Sequence, residues 1–200
     1  MSSSAPGMEP GPHLDLLTKG VEHDGVAFRH LLSGEKTRAA AELEAAADHY
    51  RRSWELAPPR SYGRLVAMLT SAVLAGDAAE ESACARDALA GACDSPTSCY
   101  ALAIAAVVEG DDALALDAIE GMRAGGEAFE RAADGLEAIV RSDESGVADA
   151  VAAIVADFES RKHYLTGVPI ADTALMVEAL ATTRGLFPRR PFSAWLPRLV

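Results

Sequence analysis

The stretch "EGDDALALDAIEGM", residues 109–122, sets a glycine between the end of one apolar run and the acid-led start of the next. Glycine accepts the left-handed backbone that closes a helix, and an aspartate side chain satisfies the orphan amides that open another. The same device appears as "SGEKTRAAAELEAA" (residues 33–46), "AGDAAEESACARDA" (75–88) and "RSDESGVADAVAAI" (141–154). The pivots Gly34, Gly76, Gly110 and Ser142 lie 42, 34 and 32 residues apart. A helix–turn–helix pattern recurring near every 34 residues predicts stacked helical hairpins.

The rest of the chain agrees. No stretch alternates β-branched or aromatic residues with polar ones, so no sheet is expected. Pro58 and Pro59 end the helical run that starts near Glu35. Ser95 and Pro96 form an N-cap and a first helical position. The run that follows, "YALAIAAVV" (residues 100–108), is apolar all round and marks the most central helix. A last helix lies between Pro169 and Gly185. Eight to ten helices follow from this punctuation, in an all-α domain over residues 13–185. A Pro- and Gly-rich flexible N-terminus (1–12) precedes it and a non-helical tail (186–200) closes the chain.

Small or apolar residues recur at fixed offsets from the pivots: Ala39, Leu43 and Ala46; Ala115 and Ile119; Val147, Val151 and Ile154. The unit after Gly76 fits poorly, with Glu81 where a small residue belongs. On these residues the chain resembles a degenerate tetratricopeptide repeat over about residues 26–160, without that family's first-helix Trp, Leu-Gly and Tyr signature. The resemblance implies stacked antiparallel helical hairpins in a solenoid. An irregular helical bundle with shared turn chemistry is the alternative.

Composition narrows the function. Half of the 200 residues are hydrophobic, 24% are charged and 6% are aromatic, which suits helices meeting through small side chains. The net charge of −12 disfavours nucleic-acid binding, which needs clustered Lys and Arg. The charge is uneven. Arg184, Arg189, Arg190 and Arg198 face no acid in their segment, so 14 of the 18 basic residues offset all 30 acidic ones elsewhere, a net of −16. No apolar run is long enough for a membrane span, and the N-terminus lacks the pattern of a secretory signal. Cys84, Cys93 and Cys99 are odd in number, which predicts reduced thiols and a cytoplasmic location.

Candidate chemistry is sparse. The cysteine spacings of nine and six match no zinc pair. His23 and Asp24 stand near His30, seven residues after His23 and on one helix face, with no zincin glutamate motif. "DHYRRSW" (residues 48–54) gathers His49, Tyr50, Arg51, Arg52 and Trp54, and "RKHYLTG" (161–167) holds His163 and Tyr164. Arg and Tyr in such clusters can grip a carboxylate, a phosphate or a partner loop. The same residues also serve as core packing and as helix-end charges. No nucleophile elbow, phosphate loop, metal set or cofactor motif is present. His30, His49, Tyr50, Arg51, Arg52, His163 and Tyr164 are therefore the candidate partner-binding residues, and neither catalysis nor a cofactor is expected. A ligand-binding or hydrolytic cavity around His30, His49, Tyr50 and His163 is the less favoured reading.

A narrower resemblance lies in "HYLTGVPIADTALMVEALATTRGLFPRRPFSAWLPRLV" (residues 163–200). Asp172, Leu175, Ala181, Arg184, Gly185, Leu186, Trp195, Leu196 and Pro197 resemble the end of the immunity protein 49 family, all-helical bacterial proteins. That resemblance implies a non-enzymatic protein that neutralises a toxin of its own lineage by binding it. Its partner would be a cognate toxin with a basic surface, steered by acidic helix faces. A generic peptide-binding adaptor is the alternative. A helical stack also leaves an apolar end to cover. Phe187, Phe192, Trp195 and Leu196 are expected to cap it, with Trp195 largely buried and Arg189 and Arg190 meeting the acidic body.

Overall fold

The computed structural model describes residues 11–198, and every α-helix among them follows the sequence punctuation in order. The helices are α1 (Pro12–Leu32), α2 (Lys36–Leu56), α3 (Gly63–Ala75), α4 (Ala79–Leu89), α5 (Pro96–Glu109), α6 (Asp112–Met122), α7 (Glu127–Val140), α8 (Glu144–Ser160) and α9 (Asp172–Thr183). There is no strand among the described residues. The N-terminus expected to be flexible lies outside them, apart from Gly11 and Pro12. Gly11 is the N-cap of α1 and Pro12 its first residue, so the helical domain starts one residue earlier than expected.

All four pivots take left-handed backbone, including the non-glycine Ser142 at φ +55°. The acids after the last two cap the next helix, whereas Glu35 makes no side-chain cap bond and Ala78, not Asp77, is the N-cap of α4. Asp111 accepts from the Leu114 amide at 3.2 Å and Asp143 from the Gly146 amide at 3.0 Å. Helix α5 has the capping box Ser95–Ser98.

Each helix packs on the next in sequence. Beyond that, α3 touches α5, α5 touches α7, α7 touches α9, and α9 returns to α3. The core runs through this inner group. From Ser98 to Val107 every α5 residue except Tyr100 is buried. Much of the interior is alanine, which lets helix axes approach closely at little side-chain entropy cost.

Three even-numbered helices share a register. Helices α2, α6 and α8 begin two residues after their pivots, and the residues that follow by three, seven and ten are buried: Ala39, Leu43 and Ala46; Ala115, Ile119 and Met122; Val147, Val151 and Ile154. Helix α4 begins three residues after Gly76. That single extra residue moves Glu81 off the inward position and puts Ser82 there, with Leu89 taking the last place. The middle of the row does not follow: Ala85, six residues after the helix start, is buried in place of Arg86, so this unit keeps the shared register only at its two ends.

Helix α1 runs through two glycines, Gly20 and Gly25, that argue against it by propensity alone. Packing reverses the preference. A β-carbon at Gly20 would stand 2.6 Å from the Tyr50 ring, so glycine lets α1 close on α2.

The cysteines correct an expectation. Cys93 and Cys99 form a disulfide, with Cα atoms 4.6 Å apart, and only Cys84 is free. Metal-ligand spacing was the wrong test. The turn between α4 and α5 brings the pair within disulfide range, and Gly121 of α6 leaves room beside both sulfurs.

Two measurements check this architecture. Thiol titration of the chain unfolded without reductant is expected to find one thiol, that of Cys84; three would refute the disulfide. The Ser82 hydroxyl is buried without a hydrogen-bond partner at a position that holds alanine in α2 and α6. Ser82→Ala should therefore raise stability by about 1 kcal/mol in denaturant unfolding.

Candidate functional site

The residues expected to bind a partner do not converge. His30 Nδ1 pairs with Glu35 at 2.5 Å at the end of α1. His49 stacks on His23 with ring centroids 5.2 Å apart, and His23 Nδ1 meets Glu42 at 2.7 Å. Burial holds the His49 imidazole below its ordinary pKa. Arg51 bonds Glu80 and, at 3.3 Å, Asp48; Arg52 bonds Asp48 at 3.4 Å. His163 is exposed in the loop between α8 and α9. No group of three or more His, Cys, Asp or Glu among the described residues is placed to hold a metal.

Tyr50 belongs to the core and not to a partner surface. It is 2% exposed, and its hydroxyl donates to Asp24 at 2.6 Å. Ser71 donates to the other oxygen of the same carboxylate at 2.8 Å. One buried acid therefore ties α1, α2 and α3. In the sequence Asp24 stands out only as a neighbour of His23. Its signal lies in the third dimension, where an aromatic hydroxyl 26 residues on meets it. Burial pushes the Asp24 carboxyl up from 3.8 to about 6, against the two hydroxyl donors that pull it down; Asp172 raises it further and His23 lowers it.

The tail provides a surface. Tyr164 donates to the Phe158 carbonyl at 2.7 Å and meets Trp195 edge-on at 5.9 Å, so it supports the tail. Arg190 fixes it. Its guanidinium donates to both oxygens of Glu178 at 2.6 and 2.8 Å, and to the Leu196 and Pro197 carbonyls at 3.2 and 2.9 Å. Glu178 is buried, so its carboxylate is held out of water by the bidentate pair, and Arg190 Nη2 reaches the two tail carbonyls as well. The Ala171 amide donates to the Trp195 carbonyl at 2.9 Å.

The expected cap is redistributed. Leu186 and Leu196 are buried and Trp195 is half-buried. Phe187 is 71% exposed and Phe192 fully so, so neither covers the core. Arg190 meets the acidic body as expected, while Arg189 is exposed and joins no ion pair among the described residues. The inward places are taken by Arg190 on Glu178 and by Leu186 and Leu196, which leaves the two phenylalanines in solvent.

The exposed rings are held along α8. The Phe187 amide donates to Glu144 at 3.1 Å at the start of that helix. The Ser193 hydroxyl donates to Glu159 at 2.7 Å near its end. Those two anchors span about 22 Å of helix, close to the reach of about 20 Å of six extended residues. The tail thus lies lengthwise beside α8. Phe187 and Phe192 stand near the two ends of a helix whose exposed face carries Asp149, Ala152, Ala153 and Ala156. Aromatic anchors on a fixed, partly acidic surface form a candidate interface.

No family model, curated protein or solved structure matches this chain. No helix among the described residues is long and apolar enough to cross a membrane.

The buried acid makes a testable difference. The folded state holds the Asp24 proton more tightly than the unfolded chain does. Its contribution to stability is therefore full below pH 3.8 and is lost as pH rises through about 6, a change on the order of 3 kcal/mol. Denaturant unfolding of wild type and Asp24→Asn from pH 4 to 7.5 should show that decline in wild type relative to the variant. Parallel curves would refute the shift.

Proposed function

We propose that this chain is a non-catalytic protein-binding module that acts by surface occlusion, and that its partner docks on α8 and the adjoining tail. The observation that carries this reading is the exposure of Phe187 and Phe192 on a tail pinned by the Arg190–Glu178 pair. A pinned aromatic costs little entropy on binding, so it serves as an anchor. Glu144 and Glu159 hold the tail, Asp149 is exposed on the same helix, and the excess of acid over the body suits a partner with a basic surface.

The finer architecture is proposed with it. The shared register of α2, α6 and α8 and the left-handed pivots support tetratricopeptide-like hairpins. The contact between α3 and α9 supports a stack closed on itself in place of an open solenoid. A closed stack also disfavours the peptide-holding adaptor, which needs an open concave face. Among binding modules, the resemblance to the immunity protein 49 family selects neutralisation of a toxin. An enzyme built around His30, His49, Tyr50 and His163 is disfavoured, because Tyr50 is buried and His30 is paired with Glu35.

Expression beside a toxin domain encoded next to it tests the proposal. Wild type is expected to restore growth, and Phe187→Ser/Phe192→Ser to fail through a loss of binding of more than about tenfold. The same double variant should keep its melting temperature, because both rings already stand in solvent. A double variant that protects as well as wild type refutes this surface, and a neighbourhood without a toxin gene removes the immunity reading. Complex formation should weaken as salt rises.

A further inference from the structure

A second region of the molecule, sharing no residue with the α8–tail surface, has the chemistry of a ligand site. It is a cleft of about 550 Å³ between α1, the entry to α3 and the entry to α5, lined by Leu17, Arg60, Ser61, Tyr62, Arg64 and Thr97, with Gly63 and Ser95 completing it. That volume falls within the range of about 300–1,000 Å³ in which small-molecule pockets lie.

Charge in the cleft is unbalanced at one residue. Arg60 pairs with Asp94 at 3.1 Å, and the Tyr62 hydroxyl donates to the same carboxylate at 3.1 Å, so Asp94 is spent on the rim. Arg64 has no such partner. It is the one half-buried arginine among the described residues that forms no ion pair with a carboxylate. Its position is nevertheless fixed. Nε donates to Ser53 Oγ at 2.8 Å, and Ser53, fully buried, donates in turn to the His13 carbonyl at 2.6 Å. The Nη1 and Nη2 donors carry no hydrogen bond among the described residues. Burial pulls the Arg64 pKa down, as it does for a cation without a counter-charge. In a protein with an excess of twelve acidic charges, no carboxylate among the described residues pairs with this arginine, although the cost of a half-buried lone cation is real. Thr97 adds a hydroxyl with no partner among the described residues, and Leu17 adds an apolar wall.

We propose that this cleft binds a small organic oxyanion, a carboxylate or phosphate monoester, with its charged group on the Arg64 guanidinium and the Thr97 hydroxyl and its body against Leu17. Guanidinium donors held in a fixed plane match both groups in a bidentate manner. Gly63 and Thr97 stand in the first turns of α3 and α5, so the positive ends of two helices adjoin the cleft.

The full chain, labelled with ¹⁵N, is titrated separately with inorganic phosphate, with acetate, and with sodium chloride at matched ionic strength. The expected result is a saturable shift of the Gly63 and Thr97 amides with an oxyanion and not with chloride. Arg64→Gln should weaken it by about tenfold, while Arg64→Lys retains part of it. Thr97→Val, which leaves the Arg64–Ser53 bond in place, should weaken it several-fold and serves if Arg64→Gln fails to fold. Saturation by phosphate alone assigns the phosphate class, by acetate alone the carboxylate class, and by both the shared oxyanion chemistry. Shifts that chloride reproduces, an absence of saturation with either oxyanion, or unchanged affinity in a folded Arg64→Gln or Thr97→Val variant overturns the proposal.

Discussion

Close approach of helices through alanine is the constraint on which this structure depends. Ala101, Ala103, Ala105 and Ala106 of α5, Ala115 and Ala118 of α6, Ala132 and Ala133 of α7, and Ala174 and Ala181 of α9 are all buried. Each contributes little apolar area, so stability must come from many short contacts rather than a few large side chains. That is why single residues of the wrong size matter here. Gly20 admits the Tyr50 ring, and Gly121 admits the disulfide.

A core of small residues leaves polar groups to fix helix order. Asp24 joins three helices through two hydroxyl donors, and Arg190 joins the tail to α9 through a buried carboxylate. Both rest on the same physics. A charged or titratable group withdrawn from water is costly unless its partners are in place, so an alternative packing that breaks them is strongly disfavoured. The Arg190 pair has the further consequence that the segment carrying Phe187 and Phe192 is tied to α9. Its inward arginine and its outward phenylalanines are two results of one backbone path, which links the stability of the tail to the surface it presents.

The turns and helices were legible in the residues because they depend on local chemistry. Gly34, Gly76 and Gly110 take the left-handed backbone that glycine favours, and Asp111 and Asp143 cap the helices they precede. The apolar run in α5 announced its burial because a helix without a polar face has nowhere else to lie. The glycines inside α1 are explained only by packing, since propensity says nothing of a ring arriving from α2. The cysteines read wrongly as well, because linear spacing does not report the turn that joins them.

By itself, then, the sequence determined the all-helical class, the helix boundaries at glycine, proline and capping residues, and the acidic body with its basic end. These follow from interactions within a few residues or from composition. Tertiary structure alone decided that α3 meets α9, that Tyr50 is spent on Asp24, that Phe187 and Phe192 face solvent while Leu196 faces the core, and that Arg64 stands in a cleft with no ion-pair partner among the described residues. Each of these depends on groups distant in the chain arriving at one place, and the cost of burying a charge or a ring is set by what arrives beside it.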